Sequence, residues 1–295
     1  FGQLAQRTSV TSLEAIQRQR VDWQRAASEH FSRHEIGAGL ALYEAHGHVR
    51  GFDDDLSARE ALLAQWAADR QAHPGQTQVI LAHSNASREA LNQLVRQERK
   101  ADGELGIETR IQTEKGALQV ADGERVLFGK NDYGTLQVRN GTLGTVRSVS
   151  GEALQVELDS GRQVSVDTRE YRHLDYGYAL TVHKGQGMTV DRAYLLASPS
   201  MSAETTYVGM TRHRQVATLF YGKDGFADRG GLAAGLSRPE HKTFAGGQEQ
   251  DALKRLVEQS AAAATAPRTL ADRMAKAAAA RKPEQLVPGR ARTVG

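Results

Sequence analysis

Between residues 125 and 166 the chain alternates apolar and polar residues in short runs: Val126-Leu-Phe128, Leu136-Gln-Val138, Gly144–Val149, Leu154–Leu158 and Gln163–Val166. A period of two puts every second side chain on one face, which is the pattern of half-buried strands. Asn140-Gly141 and Asp159-Ser-Gly161 fall between runs, and Asn-Gly is the strongest short-range hairpin signal. Its tight form needs a positive φ at both residues. Five small strands in the roughly 60 residues between Gly106 and Arg172 predict a barrel of SH3-like size.

The stretches on either side follow another grammar. Trp23, Ala27 and Phe31 share a helical face. Ser57-Ala-Arg-Glu60 is a capping-box pattern ahead of Leu62, Leu63 and Trp66, and Pro74-Gly75 stops that helix. Val79–Ala82 is a short apolar strand, and Ser84-Asn85 opens a helix lined by Leu91, Leu94 and Val95. After Tyr171 come the strand Ala193–Ala197, a helix, and the strand Ala217–Tyr221. Strands alternating with capped helices predict an α/β layer with a parallel sheet flanked by helices. The expected division is 1–105 and 173–245 for the two parts of that layer, 106–172 for the inserted barrel, and 246–295 for a tail. The tail is Ala-rich and basic (Ala261–Ala264, Ala277–Ala280, Arg281, Lys282) and is expected to be disordered or partly helical, with no core of its own.

Composition narrows the class only a little. A formal charge of +3 is mildly basic, and the absence of cysteine excludes disulfides and thiolate metal sites. No apolar run approaches the ~18 residues of a membrane span, and no secretory signal is present, so no membrane insertion is expected. The first residue is Phe, which suggests a piece of a longer protein.

Chemistry concentrates in two runs, Tyr178-Ala-Leu-Thr-Val-His-Lys-Gly-Gln-Gly187 and Tyr207-Val-Gly-Met-Thr-Arg-His-Arg214. Thr181, His183 and Lys184 offer a hydroxyl, an imidazole and an ammonium within four positions, a set that suits phosphate oxygens. Gly185 and Gly187 let a backbone come close to something bulky. Arg212 carries a planar, permanently charged fork suited to a transferring phosphoryl group. Each residue also has an ordinary reading: a surface arginine, a satisfied core histidine, a plain helix cap at Ser84-Asn85. A helix N-terminus caps and attracts phosphate at once, so the last two readings coexist.

In this order, with an apolar strand between them, the two runs resemble motifs V and VI of superfamily 1 helicases. Together with Arg18-Gln19, Trp23-Gln24 and Tyr221–Phe226, they are similar to the RecD-like branch that moves 5′ to 3′ along single-stranded DNA. Within it they resemble the helicase half of conjugative relaxases of the TraA/TraI type. The resemblance covers residues 10 to 240. It implies that the sheet is the second RecA-like motor domain, called 2A, and the barrel its 2B insertion. It implies Arg212 and Arg18 as catalytic arginine fingers, and Gln19, Gln186, Gly187 and Arg212 as nucleotide contacts. Thr181, His183, Lys184, Ser84 and Asn85 would contact DNA. ATP and Mg2+ are the implied cofactors of the intact enzyme, which would be cytoplasmic. The implied partners are single-stranded DNA, a first RecA-like domain and a relaxase domain of the same polypeptide, and the conjugation machinery.

One departure limits the expectation. No Gly-x-x-x-x-Gly-Lys-Ser/Thr run occurs, and no apolar strand ends in Asp-Glu. Phosphate cradle and magnesium carboxylate are therefore both missing, so this chain alone should bind no cofactor and hydrolyse no ATP. A non-catalytic, helicase-derived module for binding DNA or protein is the alternative.

Overall fold

The computed structural model describes residues 18–239 and 257–258. Expectations for residues 1–17 lie outside the described residues, as do those for the tail apart from Val257 and Glu258, which are helical. The described residues open with α1 (Asp22–Ser32), α2 (Ile36–Ala45), β1 (Val49–Phe52), α3 (Asp55–Ala72), β2 (Gln78–Ala82) and α4 (Asn85–Ala101). Seven strands follow: β3 (Thr109–Thr113), β4 (Gly116–Val120), β5 (Arg125–Phe128), β6 (Leu143–Ser150), β7 (Ala153–Leu158), β8 (Gln163–Asp167) and β9 (Leu174–Tyr176). Then come β10 (Ala179–Thr181), β11 (Val190–Leu196), α5 (Ala203–Met210), β12 (His213–Gly222) and α6 (Arg229–Leu236).

The layer is α/β, as the capped helices and apolar strands predict. Five strands pair in the order β1-β12-β11-β2-β10, every neighbour parallel. Helices cover both faces, so the central strands are apolar on both sides. On one face Ile80, Ala82, Tyr194, Leu196 and Phe220 meet Leu62 and Trp66 of α3 and Leu91, Leu94 and Val95 of α4. On the other, Val79, Leu81, Leu180, Leu195 and Leu219 meet Phe31 of α1, Ile36 and Leu40 of α2, Met210 and Leu232. Ser84 caps α4 by accepting a hydrogen bond from the Ser87 amide at 3.0 Å. α3 starts earlier than the Ser57–Glu60 pattern suggests. Asp54 is its cap, taking the Ser57 amide at 2.7 Å, because a carboxylate ahead of the first turn does the same work as a capping hydroxyl.

The small β unit has its own antiparallel sheet in the order β8-β7-β6-β5-β9, with β3 and β4 as a separate hairpin beside it. Its core holds Val126, Phe128, Val146, Leu154, Val156 and Val166, with Ile111 and Val120 from the hairpin. Three details differ from expectation. Leu136–Val138 makes only an isolated bridge to Asp132 rather than a strand. The fifth strand is β9, paired with β5, so the sheet runs to Tyr176, past the expected end at 172. Asn140-Gly141 is not the tight two-residue hairpin. Gly141 alone has a positive φ, +93°, and the Thr142 amide donates to the Arg139 carbonyl at 3.0 Å, the form of a type II turn.

The two units share apolar contacts. Leu127 and Leu143 point out of the small sheet into the core of the parallel one. A buried polar pin reinforces the joint: Arg96 of α4 donates to Glu124 at 2.9 Å, and the Tyr178 hydroxyl donates to the same carboxylate at 2.6 Å. Glu124 is fully buried, and that desolvation raises its carboxyl, opposed by Tyr178 and Arg96.

Candidate functional site

Parallel strands all start at one edge of the sheet and end at the other, and the residues singled out from sequence divide between those edges. Arg212 stands at the starting edge, in the step from α5 into β12, where the Val190 amide of β11 donates to its carbonyl at 3.0 Å. Its guanidinium is folded back rather than splayed into solvent: Nε donates to the Val208 carbonyl and Nη2 to the Thr211 hydroxyl, each at 2.9 Å. The residue is only 5 % exposed. No carboxylate pairs with it among the described residues.

Desolvation therefore acts on a charge with no carboxylate counter-ion among the described residues. Burial, joined by the nearby positive charge of Arg18, lowers the Arg212 guanidinium to about 10. It stays charged at neutral pH. A desolvated cation near a second cation would be stabilised by an anion, which lowers both penalties together.

Arg18 is half-buried, and it too lacks an ion-pair partner among the described residues. Gln19 beside it is 1 % exposed, and its amide is spent on protein: Nε2 donates to the Thr211 carbonyl at 3.3 Å and the His213 carbonyl at 3.0 Å. Behind this corner sit Tyr43 and His213, both fully buried, with the Tyr43 hydroxyl 3.1 Å from His213 Nε2. Burial lowers His213 to about 3 and, with help from Arg50, lowers His48 to about 4.

The other edge carries the second group. Thr181 ends β10 in register with Ala82, the last residue of β2, so the two strand ends release their loops side by side. From β2 come the capping Ser84 and the exposed Asn85; from β10 come exposed His183 and half-buried Lys184. The Lys184 amide donates to the Thr181 hydroxyl at 3.3 Å, which holds the loop in a turn. No acidic residue stands in the first turn of α4, so its N-terminal amides meet no competing side-chain charge there.

Lys184 is lowered chiefly by desolvation and then by Lys115, with Arg88 adding to it and Asp175 opposing. Arg88 and Lys115 were not legible as site residues. Arg88 looks like an ordinary helix position, and Lys115 sits on the turn of the β3–β4 hairpin, which alternation did not mark. Asp175 joins them, 3.0 Å from Arg88 and 2.6 Å from Lys115. The Gly141 turn of the small sheet also abuts this loop: a Cβ there would stand 3.8 Å from the Lys184 carbonyl.

Gln186 and Gly187 are exposed and lie on the crossover from β10 to β11, between the two groups. Gly187 has φ +89°, a conformation that favours glycine. Gly185 packs the crossover onto the sheet, where a Cβ would come within 3.0 Å of Leu81. Among the described residues no cluster of three His, Cys, Asp or Glu could hold a metal ion, and no helix is long and apolar enough to cross a membrane.

No protein-family model matches the chain. The conjugal transfer protein TraA of Sinorhizobium fredii, described as probable, is 37 % identical to it over 245 residues, 82 % of this chain. That of Agrobacterium fabrum is 39 % identical over the same length. The chain is a homologue of the TraA conjugal transfer proteins. It spans 22 % of the length of either TraA relative. A crystal structure of the Pif1 helicase from Bacteroides with ADP-AlF3 and single-stranded DNA aligns at TM-score 0.45 and 18 % identity, over 68 % of this chain and 49 % of that one.

Proposed function

We propose that this TraA homologue is the second motor domain of an ATP-dependent 5′–3′ DNA helicase within a conjugative relaxase. The observation that carries the reading is the pair Arg18 and Arg212: two neighbouring cations at one edge of a parallel sheet, one of them desolvated, neither with a carboxylate partner among the described residues. A nucleotide phosphate held on a partner domain supplies the missing anion. ATP, when bound there, provides the phosphoryl group whose transfer drives the cycle. Arg212 would offer it Nη1 and the second Nη2 hydrogen, since Nε and one Nη2 hydrogen are already bonded, and Arg18 would add a second charge. In this reading Mg2+ would be held with the nucleotide on the partner domain.

Thr181, His183, Lys184, Ser84 and Asn85 would hold the single strand at the opposite edge. Their groups address phosphate oxygens and do not distinguish bases. Gln186 and Gly187, on the crossover between the edges, would sense nucleotide and move the grip. The relaxase domain and the conjugation machinery follow as partners, and the cytoplasm as the setting. The test is ATP turnover by the full-length protein with and without Arg212→Ala. Wild-type turnover in the variant removes the reading.

A further inference from the structure

Gln19 follows one of the two arginines in sequence and touches the backbone on both sides of the other. A glutamine amide has two N–H donors and one carbonyl acceptor. The Nε2 hydrogens go to the Thr211 and His213 carbonyls at 3.3 and 3.0 Å, the two residues flanking Arg212. The Oε1 atom accepts the Ser28 hydroxyl of α1 at 3.2 Å. With the residue 1 % exposed, no donor is left to offer a phosphate or a base.

The rest of the segment is tied down from the same helices. Gln24 Nε2 donates to the Gln215 carbonyl at 2.7 Å, and the Tyr43 hydroxyl lies 3.3 Å from the Met210 carbonyl. Gln19, the chain neighbour of Arg18, is the side chain among the described residues that bonds the backbone on both sides of Arg212. An arginine that acts on developing charge must already be in place when the charge appears, since reorganising a long side chain costs rate.

We propose that Gln19 is a positioning residue rather than a nucleotide contact, a clamp that fixes Arg18 and Arg212 as one rigid unit. The kinetic half of this rests on the motor-domain reading above; the structural half does not. Gln19→Met keeps the volume and removes the donors. Breaking the two bonds should speed amide hydrogen exchange across residues 211–215 in this chain by about 10-fold or more, as 1.4 kcal/mol is a factor of ten. Unchanged exchange there overturns the clamp whatever the motor does.

In the full-length protein the same variant should lower kcat for ATP by about 10²-fold, as small misplacements do, with KM changed little. Placed on Arg212→Ala it should cost almost nothing more, because the two residues then fail together. A raised KM with intact kcat would return Gln19 to the nucleotide site, and an equal loss in both backgrounds would make it merely structural. If Arg212→Ala alone turns over normally, the finger assignment fails and the exchange result still judges the clamp. Should Gln19→Met melt early, Ser28→Ala frees the amide without emptying the site. It is expected to speed exchange of 211–215 in the same direction, and no change in a well-folded Ser28→Ala chain refutes the proposal.

Discussion

The two edges of the parallel sheet treat positive charge in opposite ways. At the starting edge Arg212 is buried, bonded through two of its three nitrogens and backed by a core of Tyr43 and His213. At the finishing edge His183 and Asn85 are exposed, and Lys184 is half-buried on a short turn. A group that stabilises transient charge gains from being held still, because its orientation is settled before the reaction. A grip that must take any sequence, then release and take again, gains from side chains that follow a phosphate over an ångström or two. On the proposed reading, the difference teaches that rigidity is allotted by task within one sheet.

The sharpest way to break this comparison is at Arg212. In the full-length protein Arg212→Ala should cut ATP turnover by about 10³-fold or more while single-strand affinity holds, and Arg212→Lys should restore little, since a point charge lacks the fork. Equal losses of turnover and DNA affinity would mean that the edges are not separate sites.

Lys184→Ala tests the other edge and should have a smaller effect. Single-strand binding should weaken by several-fold for unrelated sequences alike, with the salt dependence of log K reduced by about 0.7, one phosphate's worth. Loss confined to one sequence would show base readout, which loop side chains gripping a backbone do not provide.

Acid should find the rigid edge first. His213 and His48 are held neutral, at about 3 and about 4 against an ordinary 6.5. The unfolded chain takes up protons below 6.5 that the folded chain refuses, so their stabilising effect is complete above 6.5 and is lost as pH falls toward 4 and 3. Between pH 7.5 and 5 the loss from His213 should be on the order of 1–2 kcal/mol. His213→Gln, which cannot titrate, should flatten the melting-temperature profile over that window; an unchanged slope would place the acid sensitivity elsewhere.

The smallest effect runs against intuition. Because Arg212 is desolvated beside Arg18, Arg212→Met should raise the melting temperature of this chain, by on the order of 2 °C, even as it abolishes the proposed activity. A clear drop would mean that its bonds to Val208 and Thr211 outweigh the cost of burying its charge.

The sequence by itself determined the elements and the chemistry of the runs. The apolar stretch Val79–Ala82, the cap at Ser84 and the stripe Leu91, Leu94, Val95 are local patterns, and local patterns record which face of an element is buried. They also gave the α/β layer and the interrupting antiparallel unit. Turn type was beyond them: Asn140-Gly141 fits two turns locally, and its contacts with Phe128 and the Lys184 loop, rather than its own preference, accompany the one adopted. So was β9, three residues long and too short for a period to register, which exists because β5 offers it an edge. Only the tertiary structure decided that Arg18 and Arg212 are neighbours and that Gln19 faces protein rather than solvent. The same holds for Arg88 and Lys115, which join Lys184, and for Leu127 and Leu143, which tie the small sheet to the large one. The physical reason is common to all of these. Burial and electrostatic coupling depend on what stands within a few ångströms in space, and residues almost two hundred positions apart carry no mark of meeting until the chain has folded.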